Sequence, residues 1–103
     1  MADPARIEED QLKYVLFYES PEDLDLDAIR EHYADHRATW ARYQENGTLV
    51  AIGPFSDPRQ GAMSVFTTKD AAEEFATSDP YVRNGLVAHW HIQEWDEALL
   101  GQL

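Results

Sequence analysis

The side chain of this sequence that is best suited to move a proton is His36. It falls at the centre of an apolar helical stripe, between Tyr33 and Trp40, where leucine is the usual residue. An imidazole buried there without a hydrogen-bond partner would cost roughly 1 to 3 kcal/mol, so the position predicts a partner for the ring. The alternative is a core histidine that is hydrogen-bonded for structural reasons alone.

Asp79 is the predicted partner of that imidazole. It ends a second predicted helix directly before Pro80. The proline restrains the aspartate backbone to the extended region, which limits the positions that its carboxylate can take. A carboxylate bonded to one ring nitrogen fixes the tautomer and leaves the other nitrogen as a general base. The same residues also fit a purely structural helix stop in an Asp-Pro-Tyr turn.

Four aromatic residues and one glycine complete the candidate site. We expect a small pocket around the dyad whose walls are Tyr14, Trp40, Tyr81 and Trp90. Gly53 would let the backbone approach a ligand closely. The competing interpretation is that the aromatic rings pack in the core and that Gly53 only ends a strand before a proline.

Two histidine pairs have the spacing of metal ligands. His32 and His36 lie one helical turn apart, and His89 and His91 share one face of a strand. The predicted sheet separates the two pairs, so we predict no metal site. We expect His89 and His91 at a dimer interface or in a barrel interior, where a lowered pH would charge them.

Residue patterns place these side chains on elements in the order βαββαβ. The predicted strands are Leu12 to Tyr18, Thr48 to Ile52, Gly61 to Thr67 and Gly85 to Trp95. A long helix starts between residues 21 and 27, where Ser20-Pro21 offers an N-cap, and ends at Asn46-Gly47. Thr68 is the predicted N-cap of a short second helix. This order is that of a ferredoxin-like α+β fold with an antiparallel sheet and two helices on one face.

Two helices cover only one face of such a sheet. The first strand is apolar on both faces, and the last carries Val87, two histidines and Trp95 on its second face. Left in water, these residues would form a large exposed apolar patch. We therefore predict a homodimer in which the two sheets pack against each other.

Length and charge restrict the classes of partner. The chain has 103 residues, a length that predicts one domain, and a formal net charge of −12. Residues 1–11 are mostly polar and show no periodicity, which predicts a mobile leader, followed by the domain at 12–99 and a tail at 100–103. Twenty acidic against eight basic residues disfavour nucleic acid and anionic membranes. The absence of cysteine and of a signal-peptide pattern favours the cytoplasm, and a small molecule is the expected ligand.

A series of residues in this order is similar to the YCII-related (YciI-like) domain family, over about residues 12 to 99. The series is His36, Gly47, Leu49, Gly53-Pro54, Gly61, Phe66, Ala71-Ala72, Asp79-Pro80-Tyr81, Gly85 and Trp95. The resemblance implies a ferredoxin-like fold that forms a dimeric α/β barrel, with His36 and Asp79 as a catalytic dyad. One branch of the family resembles muconolactone isomerases and includes a chloromuconolactone dehalogenase. Glu94 departs from the family, in which proline usually precedes the last aromatic residue.

The predicted function is cofactor-independent acid/base chemistry of the lyase, isomerase or dehalogenase type. His36 would move a proton next to an activated carbonyl or lactone while Asp79 orients the ring. An alternative from another class is a non-catalytic dimeric module that binds a small molecule or a partner protein. A third, cofactor-free monooxygenation, has only fold analogy in its favour.

Overall fold

The computed structural model describes residues 12–99, so the predicted leader and tail lie outside the described residues. Four strands form one antiparallel sheet in the order β2-β3-β1-β4: β1 is Leu12–Glu19, β2 Leu49–Pro54, β3 Ala62–Phe66 and β4 His89–Asp96. Three α-helices accompany it, α1 at Leu26–Glu45, α2 at Lys69–Ser78 and α3 at Pro80–Arg83, with one 3₁₀ turn at Pro58–Gln60. The predicted α+β class and the four-stranded antiparallel sheet are confirmed.

The core lies between the helices and one face of the sheet. β1 is an inner strand that pairs with β3 and β4, so both of its backbone edges are hydrogen-bonded. Leu16 of β1, Phe66 of β3 and Phe75 of α2 are fully buried where these elements meet. The helices therefore pack on the β1–β3 centre of the sheet.

Local signals set the ends of α1. Asp25, and not Ser20, is the N-cap, because its Oδ1 accepts hydrogen bonds from the amides of Asp27 and Ala28 at 3.0 and 3.1 Å. The helix ends as predicted before Gly47, whose φ of +83° belongs to the left-handed region. Within the predicted stripe His36 is buried, whereas Tyr33 is 49% exposed.

The chain between α2 and β4 differs from the prediction. Residues 80–83 form one helical turn, so β4 begins at His89 and not at Gly85. Asp79 and Pro80 supply the N-cap and first position of this turn, and Gly85, at φ +75°, lies just beyond its end. The sequence predicts only a turn here, because four residues are too few for helical periodicity to show.

One glycine fixes the position of the end of β1. Gly61 has φ +105°, and a Cβ there would collide with the carbonyl oxygen of Tyr18. The backbone before β3 therefore lies directly against Tyr18, a residue whose side chain reaches the candidate site.

None of the helices in residues 12–99 is both long enough and apolar enough to cross a lipid bilayer.

Candidate functional site

The structure brings the two predicted catalytic residues together. His36 Nδ1 lies 2.7 Å from Asp79 Oδ1, although 43 residues separate them in sequence. His36 projects from α1 and Asp79 lies between α2 and α3; the first is 9% exposed and the second 0%. Because a carboxylate oxygen accepts hydrogen bonds, Nδ1 donates in this pair and Nε2 is the ring nitrogen left for other chemistry.

Three donors hold the Asp79 carboxylate. Besides His36, the amide of Tyr81 donates to Oδ1 at 3.1 Å, and the hydroxyl of Tyr18 donates to Oδ2 at 2.7 Å. The backbone of Asp79 is extended, as expected of a residue before proline (φ −63°, ψ 124°). Both carboxylate oxygens are thus engaged, which fixes the rotamer and the direction in which the group meets the imidazole.

Aromatic contacts fix the imidazole plane. The ring of Tyr81 stacks on His36, with centroids 3.9 Å apart and planes 12° from parallel. The Tyr81 hydroxyl donates to the carbonyl oxygen of Ile29 at 3.2 Å, which ties α3 to the first turns of α1. Phe75 adds a tilted ring contact to the imidazole at 5.9 Å. His36 is therefore restrained by a stack as well as by its hydrogen bond.

A cavity of about 270 Å³ opens beside this arrangement. It lies between the first half of α1 and the sheet, and His36, Tyr81 and Tyr18 all line it. Most of the remaining lining is aliphatic, including Leu16, Ile29 and Ile52. A volume near the lower end of known small-molecule sites suits a compound of about one ring.

The predicted pocket walls divide into two groups. Tyr81 and Gly53 line the cavity. Tyr14, Trp40 and Trp90 do not line it; all three are half-buried against the core cluster. Their positions explain this: Trp40 lies one helical turn beyond His36, and Tyr14 lies four residues before Tyr18 on β1. The structure does not bring these three rings to the site.

The histidine pairs considered as metal ligands lie apart. His89 and His91 are exposed on the sheet face opposite the helices, where the His91 ring stacks on Phe17 at 5.0 Å. His32 does not line the cavity. Within the part of the chain that the structure describes, no group of three or more His, Cys, Asp or Glu side chains is arranged to hold a metal ion.

Sequence reasoning missed Tyr18. Its hydroxyl is buried, so a partner was required, and the alternation of Tyr14, Leu16 and Tyr18 already placed it on the helix-covered face of β1. The signal was the same one that singled out His36, a polar group at an apolar position. Tyrosine conceals it, because its ring accounts for the position as ordinary core packing.

The tyrosines around Asp79 predict a loss of stability at alkaline pH. Burial, followed by the negative charge of Asp79, raises the pKa of Tyr18 well above its usual range, and the same causes raise the pKa of Tyr81 to about 12. Unfolded tyrosine loses its proton near pH 10. Above that pH the folded state retains a proton that the unfolded state releases, so the free energy of unfolding falls as the pH rises.

The expected size for Tyr18 is about 1.4 kcal/mol per pH unit, since one retained proton sets the slope. Urea unfolding between pH 9 and 11.5 measures it. Tyr18→Phe removes this proton and is expected to show a shallower decline than the wild type. Parallel declines in the two proteins would contradict the prediction.

Known structures share this fold. The chain is similar to TftG of Burkholderia phenoliruptrix AC1100, a 5-chloro-2-hydroxyhydroquinone dehydrochlorinase solved in complex with 2,5-dihydroxybenzoquinone. The TM-score is 0.68, and the identity is 18% over 84% of this chain and 95% of TftG. Protein SO0527 of Shewanella oneidensis has a TM-score of 0.52 and 15% identity over 87% and 93%. Protein PA3566 of Pseudomonas aeruginosa has a TM-score of 0.52 and 10% identity over 84% and 93%. At these identities the similarity establishes the fold.

A comparison with curated proteins finds no match. The sequence model of the YCII-related domain family matches residues 12–96, which is nearly the whole described region. The match includes all four strands, all three helices and both residues of the dyad. This chain belongs to the YCII-related domain family.

Proposed function

We propose that this protein is a small-molecule enzyme in which His36 is the general acid/base and Asp79 orients it. One observation supports the proposal above others: an imidazole bonded at 2.7 Å to a fully buried carboxylate forms part of the wall of a largely apolar cavity. The carboxylate fixes the tautomer, and the stacked Tyr81 ring fixes the plane. Such restraint of a proton-transferring group is characteristic of catalytic sites.

The proposed chemical step is a proton transfer at Nε2. The imidazole takes a proton from a carbon or hydroxyl group next to an activated carbonyl or lactone and becomes an imidazolium. The Asp79 carboxylate on the other ring nitrogen stabilises that positive charge. The aliphatic part of the cavity wall lowers the local polarity, which strengthens this electrostatic interaction. Isomerisation and elimination both begin in this way.

The similarity to TftG supports a particular substrate class. That protein is a dehydrochlorinase, and its bound compound is a single ring with several oxygen substituents. A compound of this kind suits a cavity of about 270 Å³. In loss of hydrogen chloride, the base accepts the proton and chloride leaves with the electrons of its bond to carbon. We therefore propose small oxygenated rings and lactones as substrates.

His36→Gln tests the proposal. The probes are 5-chloro-2-hydroxyhydroquinone, followed by chloride release, and a panel of small lactones and activated carbonyl compounds, followed by deuterium uptake from heavy water. Removal of a general acid/base is expected to lower turnover at least about 100-fold. His32→Gln is the matched control, because it changes a histidine on the same helix that does not line the cavity.

A binding module without catalysis is the second candidate, and the almost wholly apolar lining of the cavity favours it. It predicts that bound compounds are recovered chemically unchanged and that His36→Gln binds them as tightly as the wild type. Turnover that survives in His36→Gln would contradict the enzymatic proposal. Unchanged recovery with equal affinity would support the module in its place.

We further propose that two copies of the chain pack sheet against sheet. The face opposite the helices carries apolar side chains on neighbouring strands, among them Val15, Phe17, Val65 and Trp95. Phe17 is half-buried on the inner strand β1, and Trp95, near the end of the edge strand β4, is 45% exposed. A second copy is the partner whose matching apolar sheet would cover this face, and a homodimer of this kind agrees with the barrel implied by the resemblance noted in the sequence.

A further inference from the structure

Ser64 is a buried hydroxyl that the dyad does not use. It lies on the helix-covered face of β3 between Ala62 and Phe66, is 3% exposed and lines the cavity. Its cross-strand neighbours are Leu16 on β1 and Ile52 on β2. Among residues 12–99 its hydroxyl has no hydrogen-bond partner. The hydroxyl oxygen is not sealed off inside the protein, and because Ser64 lines the cavity, the hydroxyl faces that space.

The other hydroxyls at the cavity are mostly engaged by the protein. Tyr18 donates to Asp79, Tyr81 to the carbonyl oxygen of Ile29, and Ser20 to the carbonyl oxygen of Pro58. Tyr33 is half exposed and reaches water. Ser64 therefore differs from them in being both buried and available. A serine between aliphatic neighbours, where alanine or valine would pack without a desolvation cost, indicates that its hydroxyl has a ligand.

The cavity connects Ser64 with the dyad. His36, from α1, and Ser64, from β3, both line it. Tyr18, whose hydroxyl binds Asp79, pairs with Ala62, two residues before Ser64 on β3. A small ring with oxygen groups at two separated positions can therefore contact the imidazole and the Ser64 hydroxyl together.

We propose that Ser64 is a substrate-binding residue that hydrogen-bonds an oxygen substituent of the ligand, at the end away from His36. This inference rests on the proposed function and narrows its substrate class to small rings or lactones with at least two separated oxygen groups. One group meets His36 Nε2 and the other meets the Ser64 hydroxyl. Compounds with a single oxygen group leave Ser64 unpaired and bind more weakly.

Ser64→Ala tests the inference, with 2,5-dihydroxybenzoquinone and phenol as probes whose affinities are measured by calorimetry. The variant is expected to bind the dihydroxybenzoquinone about 3- to 10-fold more weakly, as loss of one hydrogen bond requires, and phenol equally well. Without ligand, it is expected to keep the urea midpoint, because the Ser64 hydroxyl has no partner among residues 12–99 to lose. Thr77→Ala, which removes an exposed hydroxyl from α2, is the control with unchanged affinity.

The outcomes separate this inference from the proposed function. Equal affinity of wild type and Ser64→Ala for the dihydroxybenzoquinone would overturn the role of Ser64. The absence of any binding to the wild type would overturn it as well. In both cases His36→Gln still tests catalysis with the wider panel of compounds. A loss of stability in ligand-free Ser64→Ala would also overturn it, since it would give the hydroxyl a structural role. Weaker binding in Ser64→Ala together with full turnover in His36→Gln would support Ser64 and contradict the acid/base proposal.

Discussion

Asp79→Ala is expected to lower the free energy of unfolding by about 3 to 5 kcal/mol, because it leaves buried donors without an acceptor. The Tyr18 hydroxyl and His36 Nδ1 lose the partners that now lie 2.7 Å away, and the Tyr81 amide loses its cap. Turnover of any substrate identified with the wild type is expected to fall at least about 100-fold, since the tautomer and the charge stabilisation of the imidazole are both lost. Chemical unfolding and steady-state kinetics measure the two effects.

Asp79→Asn separates the roles of the residue. Asparagine caps a helix about as well as aspartate and has the same size, so most of the stability should remain. It carries no charge to stabilise the imidazolium, so turnover should still fall strongly. A residue that serves only as a helix stop would show the opposite result, with full turnover in Asp79→Asn, and that outcome would contradict the dyad.

Trp95→Glu is expected to convert the proposed homodimer to single chains. Trp95 is 45% exposed on the outer face of the sheet, so the single chain should tolerate the change. In a sheet-to-sheet dimer, two carboxylates would instead be buried near the interface of a protein whose net charge is already −12. Light scattering should give about twice 11.8 kDa for the wild type and 11.8 kDa for the variant.

Ala38→Glu is the matched control for that experiment. Ala38 is exposed on α1, which covers the other face of the sheet, so the added charge is far from the proposed interface. The control should therefore keep the mass of the wild type. A wild type that has the mass of one chain at micromolar concentration, or a Trp95→Glu variant that keeps the mass of two, would contradict the sheet-to-sheet dimer.

The pairing of His36 with Asp79 could be predicted because each residue breaks a strong local rule. An imidazole at the centre of an apolar helical stripe requires a partner, and an aspartate before proline has a fixed backbone conformation. The βαββαβ order then placed both residues on one face of the sheet. The strands, the long helix and the buried face of α2, with Ala72 and Phe75, followed from periodicity in the same way.

The shape of the cavity could not be predicted in this way. Tyr14, Trp40 and Trp90 are as aromatic as Tyr81, and only the register along β1 and the packing of α3 decide which ring meets the imidazole. Ser64 lies in a strand whose alternation was recognised, but a single serine does not show whether its hydroxyl faces protein or open space. These properties depend on three-dimensional distances between elements, which a linear pattern does not contain.

The bond from the Tyr81 amide to Asp79 links the dyad to the backbone of α3. Amide hydrogen exchange at Tyr81 therefore reports on the carboxylate itself, because the amide exchanges only when that bond opens. When the carboxylate itself rotates away, this amide is freed and His36 Nδ1 loses its acceptor at the same time, since both bonds end on Oδ1. A compound that binds at the imidazole and steadies the pair should slow exchange at this one position, which would reveal occupancy of the site even when no product is formed.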